Sequence, residues 1–129
     1  MSRRIFYEHE SDSRIMLKKD KKELESWTES LDFIGEEMNY LITIENLMLN
    51  DHGLYNELLN MRRENTLKSG IMYRYETSNL NAHECDDMAC DSYYLNNHEK
   101  HRDLYLEHLG KYRALKRKLL SKILLKVKR

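Results

Sequence analysis

The sequence predicts an all-α fold, an antiparallel up-down-up three-helix bundle with long helices. Proline is absent and glycine occurs only four times in 129 residues, so the chain lacks the turn formers that sandwiches, barrels and doubly wound sheets need. Apolar residues instead recur at heptad spacing over long stretches, which is typical of helical bundles and coiled coils. Turn-forming or capping residues near positions 51 and 91 divide the chain. Since 34% of the residues are charged, much of each helix is expected to face water.

The first helix is predicted by a heptad-spaced apolar stripe that only Glu45 interrupts. Its members are Leu24, Trp27, Leu31, Ile34, Met38, Leu41 and Met48. A second stripe lies about 110° further around the helix and consists of Phe33, Tyr40, Ile44 and Leu47. Because one neighbouring helix would not cover both stripes, the second predicts contact with another copy, a protein partner or the N-terminal segment. We assign residues 1–19 to a partly flexible N-terminal segment and residues 20–129 to the bundle.

The second helix is predicted to follow the turn Asn50-Asp51-His52-Gly53, whose residues are common at helix ends. It is expected to reach about Ala89, although Asn65 interrupts its apolar pattern and Gly70 marks a place where it would kink or divide. Asp91 or Ser92 is predicted to cap the third helix. Apolar spacing then runs from Leu95 to Val127.

Charge is strongly segregated although the formal net charge is zero. Residues 23–50 contain seven acids and no base, whereas residues 108–129 contain nine bases and no acid. If the third helix runs parallel to the first, its basic segment, from Lys111 to Arg129, lies beside acids of the first helix. These acids are Asp32, Glu36, Glu37 and Glu45. Internal pairing is the preferred interpretation, and the alternatives for a basic amphipathic helix are nucleic acid, an anionic membrane or a calmodulin-like partner.

Hydropathy and cysteine usage predict a cytoplasmic protein. No stretch approaches 18 consecutive apolar residues, and the first 20 residues lack the apolar core of a secretory signal. On one helix Cys85 and Cys90 would lie about 140° apart, which is poor geometry for a disulfide. Both are therefore predicted to be free thiols. A catalytic cysteine is the alternative, but nothing in the pattern places a histidine beside either thiol.

Polar residues around the second reversal form a candidate metal site. A reversal near residue 91 brings His83 level with His98, and His101 follows one helical turn later. The same register across the first reversal places Asp20 and Glu23 at that level. The predicted ligands are His83, His98, His101, Glu23 and Glu84, whose nitrogen and oxygen donors suit zinc, iron or manganese.

The interpretation that we prefer for this cluster is ordinary polar contact within the bundle, near a loop. No Glu-x-x-His motif of the kind found in di-iron bundles occurs, and Arg102 would oppose a metal unless carboxylates neutralise it. Glu45 presents a similar choice. It is either a ligand or acid/base group with a raised pKa or, as we prefer, the partner of Lys122 or Lys126.

The spacing of Trp27, Leu31, Phe33, Glu37 and Leu41 resembles the opening helix of small helical-bundle proteins of flavobacteria and their relatives. Leu80, His83 and Glu84 are similar to positions in the second helix of those proteins, which is rich in Asn, His and Glu. Around residues 62–70 the sequence differs from the pattern of those proteins. It implies a cytoplasmic helical bundle and carries no known activity.

The function predicted first is that of a non-enzymatic interaction or scaffold protein that associates with itself. A metal-binding bundle is the first alternative, and nucleic-acid binding through the basic segment is the second. No catalytic or cofactor-binding residue is predicted.

Overall fold

The computed structural model of the chain describes residues 12–78 and 88–128, which form three helices and, within those ranges, no strand. They are α1 (Asp12–Met48), α2 (His52–Ser78) and α3 (Met88–Val127). α1 and α2 are antiparallel, because Asp32 contacts Tyr73 while Asn39 contacts Arg62. α3 runs parallel to α1, because Arg102 contacts Glu23 and the later residue Lys116 contacts the later residue Glu37. The predicted all-α up-down-up bundle is confirmed.

None of the described helices is both long and apolar enough to cross a membrane.

The predicted heptad stripe of α1 forms the centre of the core. Its residues from Leu24 to Leu41 are almost fully buried, so the helix places one continuous apolar face against its two neighbours. α2 adds Leu54, Leu58, Met72 and Tyr75, and α3 adds Tyr112, Leu115 and Leu119.

The first reversal lies where the sequence predicted it, and local hydrogen bonds end α1 and start α2. Asn50 has a positive φ of 54°, and the N–H groups of Leu49 and Asn50 both donate to the carbonyl of Glu45 at 2.9 Å. Asp51 then caps α2, because its Oδ1 accepts the N–H of Leu54 at 3.2 Å. The reversal therefore combines a left-handed residue that ends α1 with a side-chain cap that starts α2.

The prediction that Glu45 pairs with Lys122 or Lys126 is wrong. Glu45 is fully buried, and its Oε2 accepts the backbone N–H of Asp51 at 2.6 Å. Lys122 instead pairs with the carboxylate of Asp51 at 2.9 Å, and Lys126 donates to the carbonyl of Met48. Asp51 in the turn therefore contacts both sides. Its backbone N–H donates to the Glu45 carboxylate, and its own carboxylate accepts from Lys122 of α3.

Three other helix boundaries differ from the predictions. α1 already begins at Asp12, so residues 12–19, which we assigned to the N-terminal segment, are helical. α2 passes unbroken through Gly70 but ends at Ser78 rather than near Ala89. α3 begins at Met88, so Asp91 lies inside a helix and the predicted second reversal near residue 91 is wrong. The apolar pattern of α2 fades after Tyr75, which left the sequence without a sharp signal for the helix end.

Cys90 is disulfide-bonded, and the described part of the chain holds no free cysteine. The prediction of free thiols is therefore wrong for Cys90. It had assumed that positions 85 and 90 share one helix, whereas α3 begins only at Met88. Because disulfides persist mainly in oxidising compartments, the free-thiol support for a cytoplasmic location is lost, and that location stays a prediction.

A buried polar bridge joins all three helices at mid-height. The side chain of Asn65 in α2 donates from Nδ2 to the carbonyl of Leu31 in α1 at 2.8 Å. Its Oδ1 accepts a hydrogen bond from Nε2 of His108 in α3, also at 2.8 Å. The Asn65 amide packs beside Gly35 of α1, where a Cβ would lie 3.4 Å from the amide nitrogen. Burial lowers the pKa of His108, with Lys68 nearby acting in the same direction, so a neutral imidazole suits this bridge.

We expect the bridge to behave as one energetic unit. Asn65→Leu or His108→Leu alone should lower the free energy of unfolding by about 1–3 kcal/mol, because each leaves a buried polar partner unpaired. The double variant should lose clearly less than the sum of the two, as urea unfolding at pH 7.5 would measure. The exposed Asn60→Leu serves as the control on α2 and should change stability by less than about 0.5 kcal/mol. Strict additivity of the two losses would contradict the bridge.

Candidate functional site

The candidate site lies where α1 and α3 meet, near the end of the bundle opposite the first turn, and its centre is His98. This imidazole is only 2% exposed. It stacks on Trp27, with ring centroids 4.9 Å apart and planes inclined by 22°. Trp27 belongs to the core stripe of α1 and also stacks on Tyr105 at 5.6 Å. The aromatic layer holds the His98 ring in one orientation.

Both nitrogens of His98 have polar partners. Nε2 lies 2.8 Å from Oε1 of Glu23 and 3.5 Å from Oδ1 of Asp20. Because an ionised carboxylate only accepts, Nε2 carries a proton, and in the neutral imidazole Nδ1 then accepts from the Tyr75 hydroxyl at 2.7 Å. Burial, followed by the charges of Asp20 and Glu23, raises the pKa of Tyr75, so this hydroxyl stays protonated. All three helices thus contribute to the setting of one imidazole.

Arg102 neutralises Glu23 through a bidentate contact. Its Nε donates to Oε2 at 2.8 Å and its Nη2 donates to Oε1 at 2.7 Å, a geometry that planar guanidinium and carboxylate groups favour. The hydrogen bonds from Arg102, opposed by partial burial and assisted by His98, lower the pKa of Glu23 to about 2. Burial instead raises the pKa of Asp20, against the attraction of His98. The pKa values of these two neighbouring carboxyl groups are therefore shifted in opposite directions.

The structure brings together two of the predicted metal ligands and adds a third residue that the register argument had placed at this level. One ligand atom each from Asp20, Glu23 and His98 lies within 4.8 Å of the others. His101 contributes none to this group, because its Nδ1 donates to the Asn97 carbonyl at 2.7 Å and its ring stacks on Tyr75 at 3.9 Å. The predicted ligands His83 and Glu84 lie outside the described residues.

The donor set is compatible with a divalent cation, but the positive charge of Arg102 beside it opposes cation binding. Two carboxylates and an imidazole form a reasonable set of donors for zinc, iron or manganese. For Nε2 of His98 to bind a cation it would have to lose its proton, and Nδ1 would then donate to the Tyr75 hydroxyl oxygen, as the outer nitrogen of a metal-binding histidine usually donates to its partner. However, Arg102 occupies both oxygens of Glu23. A cation could use this carboxylate freely only if the Arg102 side chain, which is 36% exposed, moved towards solvent.

The predicted pairing of the basic segment with acids of α1 is found at Glu37, which accepts from Lys116 at 2.8 Å. Lys118 pairs with Glu57 of α2 at 2.8 Å, and Lys122 pairs with Asp51 in the turn. Asp32 accepts the Tyr73 hydroxyl instead. The basic segment is therefore partly neutralised within the chain, and its partners come from α2 and the turn as well as from α1.

The second stripe of α1 is the largest regular apolar feature on the described surface of this helix. Phe33, Tyr40 and Leu47 are 61%, 71% and 78% exposed, and Ile44 is half-buried. Residues 12–17 cannot cover this stripe because they continue the same helix. The stripe therefore remains open to a partner from outside the described residues.

The low pKa of Glu23 predicts a specific loss of stability in acid. Because the folded pKa lies below the usual value of 4.5, the unfolded chain takes up a proton first as the pH falls. The stabilisation should be complete above pH 4.5 and should disappear between pH 4.5 and about 2. Glu23→Gln should cost about 1–2 kcal/mol at pH 7 and should flatten this part of the profile, as urea midpoints measured across the range would show. Glu25→Gln, at an exposed position of the same helix, is the control, and an unchanged profile in Glu23→Gln would contradict the ion pair.

Comparison of the chain with protein-family models, with curated proteins and with solved structures finds no match. The resemblance of the first helix to flavobacterial bundle proteins accordingly stays a prediction, and the side chains themselves are the basis for assigning a function.

Proposed function

We propose that this protein is a non-enzymatic helical-bundle interaction protein that associates with itself. The observation that carries the proposal is the exposure of Phe33, Tyr40 and Leu47, which recur every seven residues on α1. Seven-residue spacing aligns side chains along one side of a helix and is the pattern through which helices pack on partner helices. A regular apolar row of this length in water favours association.

Exposed leucines of α3 extend this apolar surface. Lys116 of α3 contacts α1 while Lys118 contacts α2, which defines the two inner sides of the helix. Leu120 lies about 40° around α3 from Lys116, on the side away from α2. Leu124 and Leu106 both lie about 80° from Lys116 in the same sense. These three leucines are between 41% and 63% exposed. We call the surface formed by Phe33, Tyr40, Ile44, Leu47, Leu106, Leu120 and Leu124 the α1–α3 face.

The chemistry of the chain agrees with self-association. The formal net charge is zero and the sequence pI is about 7.0, so two copies do not repel one another at neutral pH. In the candidate site the two ring nitrogens of His98 are hydrogen-bonded to Glu23 and to Tyr75. Such mutual bonding supports a structural role for the cluster.

Binding of a divalent metal is the second candidate function, and the convergence of Asp20, Glu23 and His98 favours it. The raised pKa of Asp20, which burial causes, reflects a carboxyl group that a cation would stabilise in its charged form. Binding would need Arg102 to release Glu23, and this competition would weaken the site.

Removing the exposed rings should reduce the oligomeric mass. We expect light scattering coupled to size exclusion to give the wild type a mass above that of a monomer, and the double variant Phe33→Ser/Tyr40→Ser a monomeric mass. Leu67→Ser/Leu125→Ser removes two exposed leucines that lie outside the α1–α3 face and should leave the mass unchanged. Circular dichroism would establish that both variants keep their helices. A wild type that stays monomeric at the highest attainable concentration would rule out the proposal.

The metal candidate makes a separate prediction. Chain purified without a histidine tag and stripped with chelator should bind one Zn²⁺ or Mn²⁺ in a calorimetric titration. Asp20→Asn and His98→Asn should abolish binding, whereas Arg102→Gln should strengthen it because a competing cation is removed. The exposed His52→Asn is the matched control. No heat of binding, or binding that survives both Asp20→Asn and His98→Asn, would retire the metal function.

A further inference from the structure

The contacts between α1 and α3 determine which residues of the two helices lie at the same height. The hydrogen bonds from side chains of α3 to α1 join residues 75 to 79 positions apart in the sequence, from Glu23 with Arg102 to Met48 with Lys126. Residues about 77 positions apart are therefore level along the parallel helices. On the α1–α3 face this pairs Phe33 with Gly110 and Leu47 with Leu124.

Gly110 has no explanation within a single chain. It lies in the middle of α3, where glycine destabilises a helix relative to alanine. A Cβ at this position would meet nothing within 4 Å, so the packing of this chain does not require glycine there. Leu106, Arg113 and Leu124 lie within about 60° of Gly110 around the helix. Gly110 therefore leaves a position without a side chain beside the exposed residues Leu106 and Leu124 of the α1–α3 face.

The charges beside the apolar residues are complementary between the two helices. Glu29 and Glu36 are exposed next to the stripe of α1, and Arg113 and Arg117 are exposed on α3. Glu36 and Arg113 are also level, because they are 77 positions apart in the sequence. An acidic edge on one helix and a basic edge on the other suit a partner that offers the same two edges in reverse order.

We infer that the occupant of the α1–α3 face is a second copy of this chain, related by a twofold axis parallel to the helices. This inference rests on the proposed self-association and specifies its geometry. Rotation about such an axis keeps every residue at its height and places α1 of each copy along α3 of the other. Phe33 then lies over Gly110 of the second copy, Glu36 lies beside Arg113, and Leu47 packs on Leu124.

The other twofold arrangement is electrostatically unfavourable. An axis perpendicular to the helices would set α1 against α1, and residues 23–50 contain seven acids and no base. It would also set Gly110 against α3 rather than against an aromatic ring. The parallel arrangement places opposite charges against one another and gives Gly110 an aromatic ring as its neighbour.

Charge reversal tests this geometry. Glu36→Arg and Arg113→Glu each create two like-charge contacts in a symmetric dimer and should each weaken association roughly tenfold. An equimolar mixture of the two variants should recover wild-type affinity, because a dimer with one chain of each type contains only opposite-charge contacts at these positions. Sedimentation equilibrium would measure this recovery, and Arg63→Glu on the exposed side of α2 is the control that should change nothing.

Substitution of the glycine gives an independent measurement. Gly110→Gln should weaken association because its side chain occupies the place of the Phe33 ring, while dilute protein keeps or gains thermal stability because glutamine is a better helix former. If the wild type associates and Phe33→Ser/Tyr40→Ser is monomeric, but the mixture does not recover affinity and Gly110→Gln associates normally, the parallel arrangement is wrong and self-association stands. A monomeric wild type would overturn both.

Discussion

The side-chain amide of Asn65 is the contact that sets how the three helices lie against one another. It is buried, and each of its two polar ends has a partner on a different helix, the Leu31 carbonyl in α1 and His108 in α3. Apolar contacts tolerate small sliding movements, whereas a buried hydrogen bond that is displaced leaves polar atoms without partners at a cost of about 1–3 kcal/mol. A polar residue in an apolar core can therefore specify register in a way that leucines do not. The bridge agrees in register with the other hydrogen bonds between α1 and α3, from Glu23 with Arg102 to Glu37 with Lys116.

The candidate site is a consequence of that register. With α3 held at this height, His98 lies between Trp27 and Tyr75 and its Nε2 points towards Glu23 and Asp20. Much of the contact of α3 with its neighbours here is aromatic and polar, through His98, Arg102 and Tyr105, rather than aliphatic. Such contacts are directional and depend on one another. Arg102 is central to the balance, since it keeps Glu23 ionised and at the same time competes with any cation for the same two oxygens.

The outer side of the same helix pair has a different character. Where α1 and α3 face one another they form ion pairs, such as Glu37 with Lys116. The apolar residues on the outer sides of the two helices are exposed. Two parallel helices with opposite charges on their edges form a surface that is complementary to itself after rotation about the helix direction. The self-association that we propose would make use of the charge segregation in the sequence.

The sequence by itself determined the features that depend on periodicity and on local turn chemistry. The heptad stripe of α1 specified its buried face, and the residues around Asp51 specified the first reversal. These features follow from the 3.6-residue helical repeat and from the conformational preferences of Asn, Asp and Gly. Only the tertiary structure decided the partner of Glu45, the role of Asn65, the stacking of His101 on Tyr75 and the disulfide at Cys90. Each of these depends on a particular atom of one segment meeting another segment at hydrogen-bonding or bonding distance, and the spacing of residue types along a chain contains no such distance.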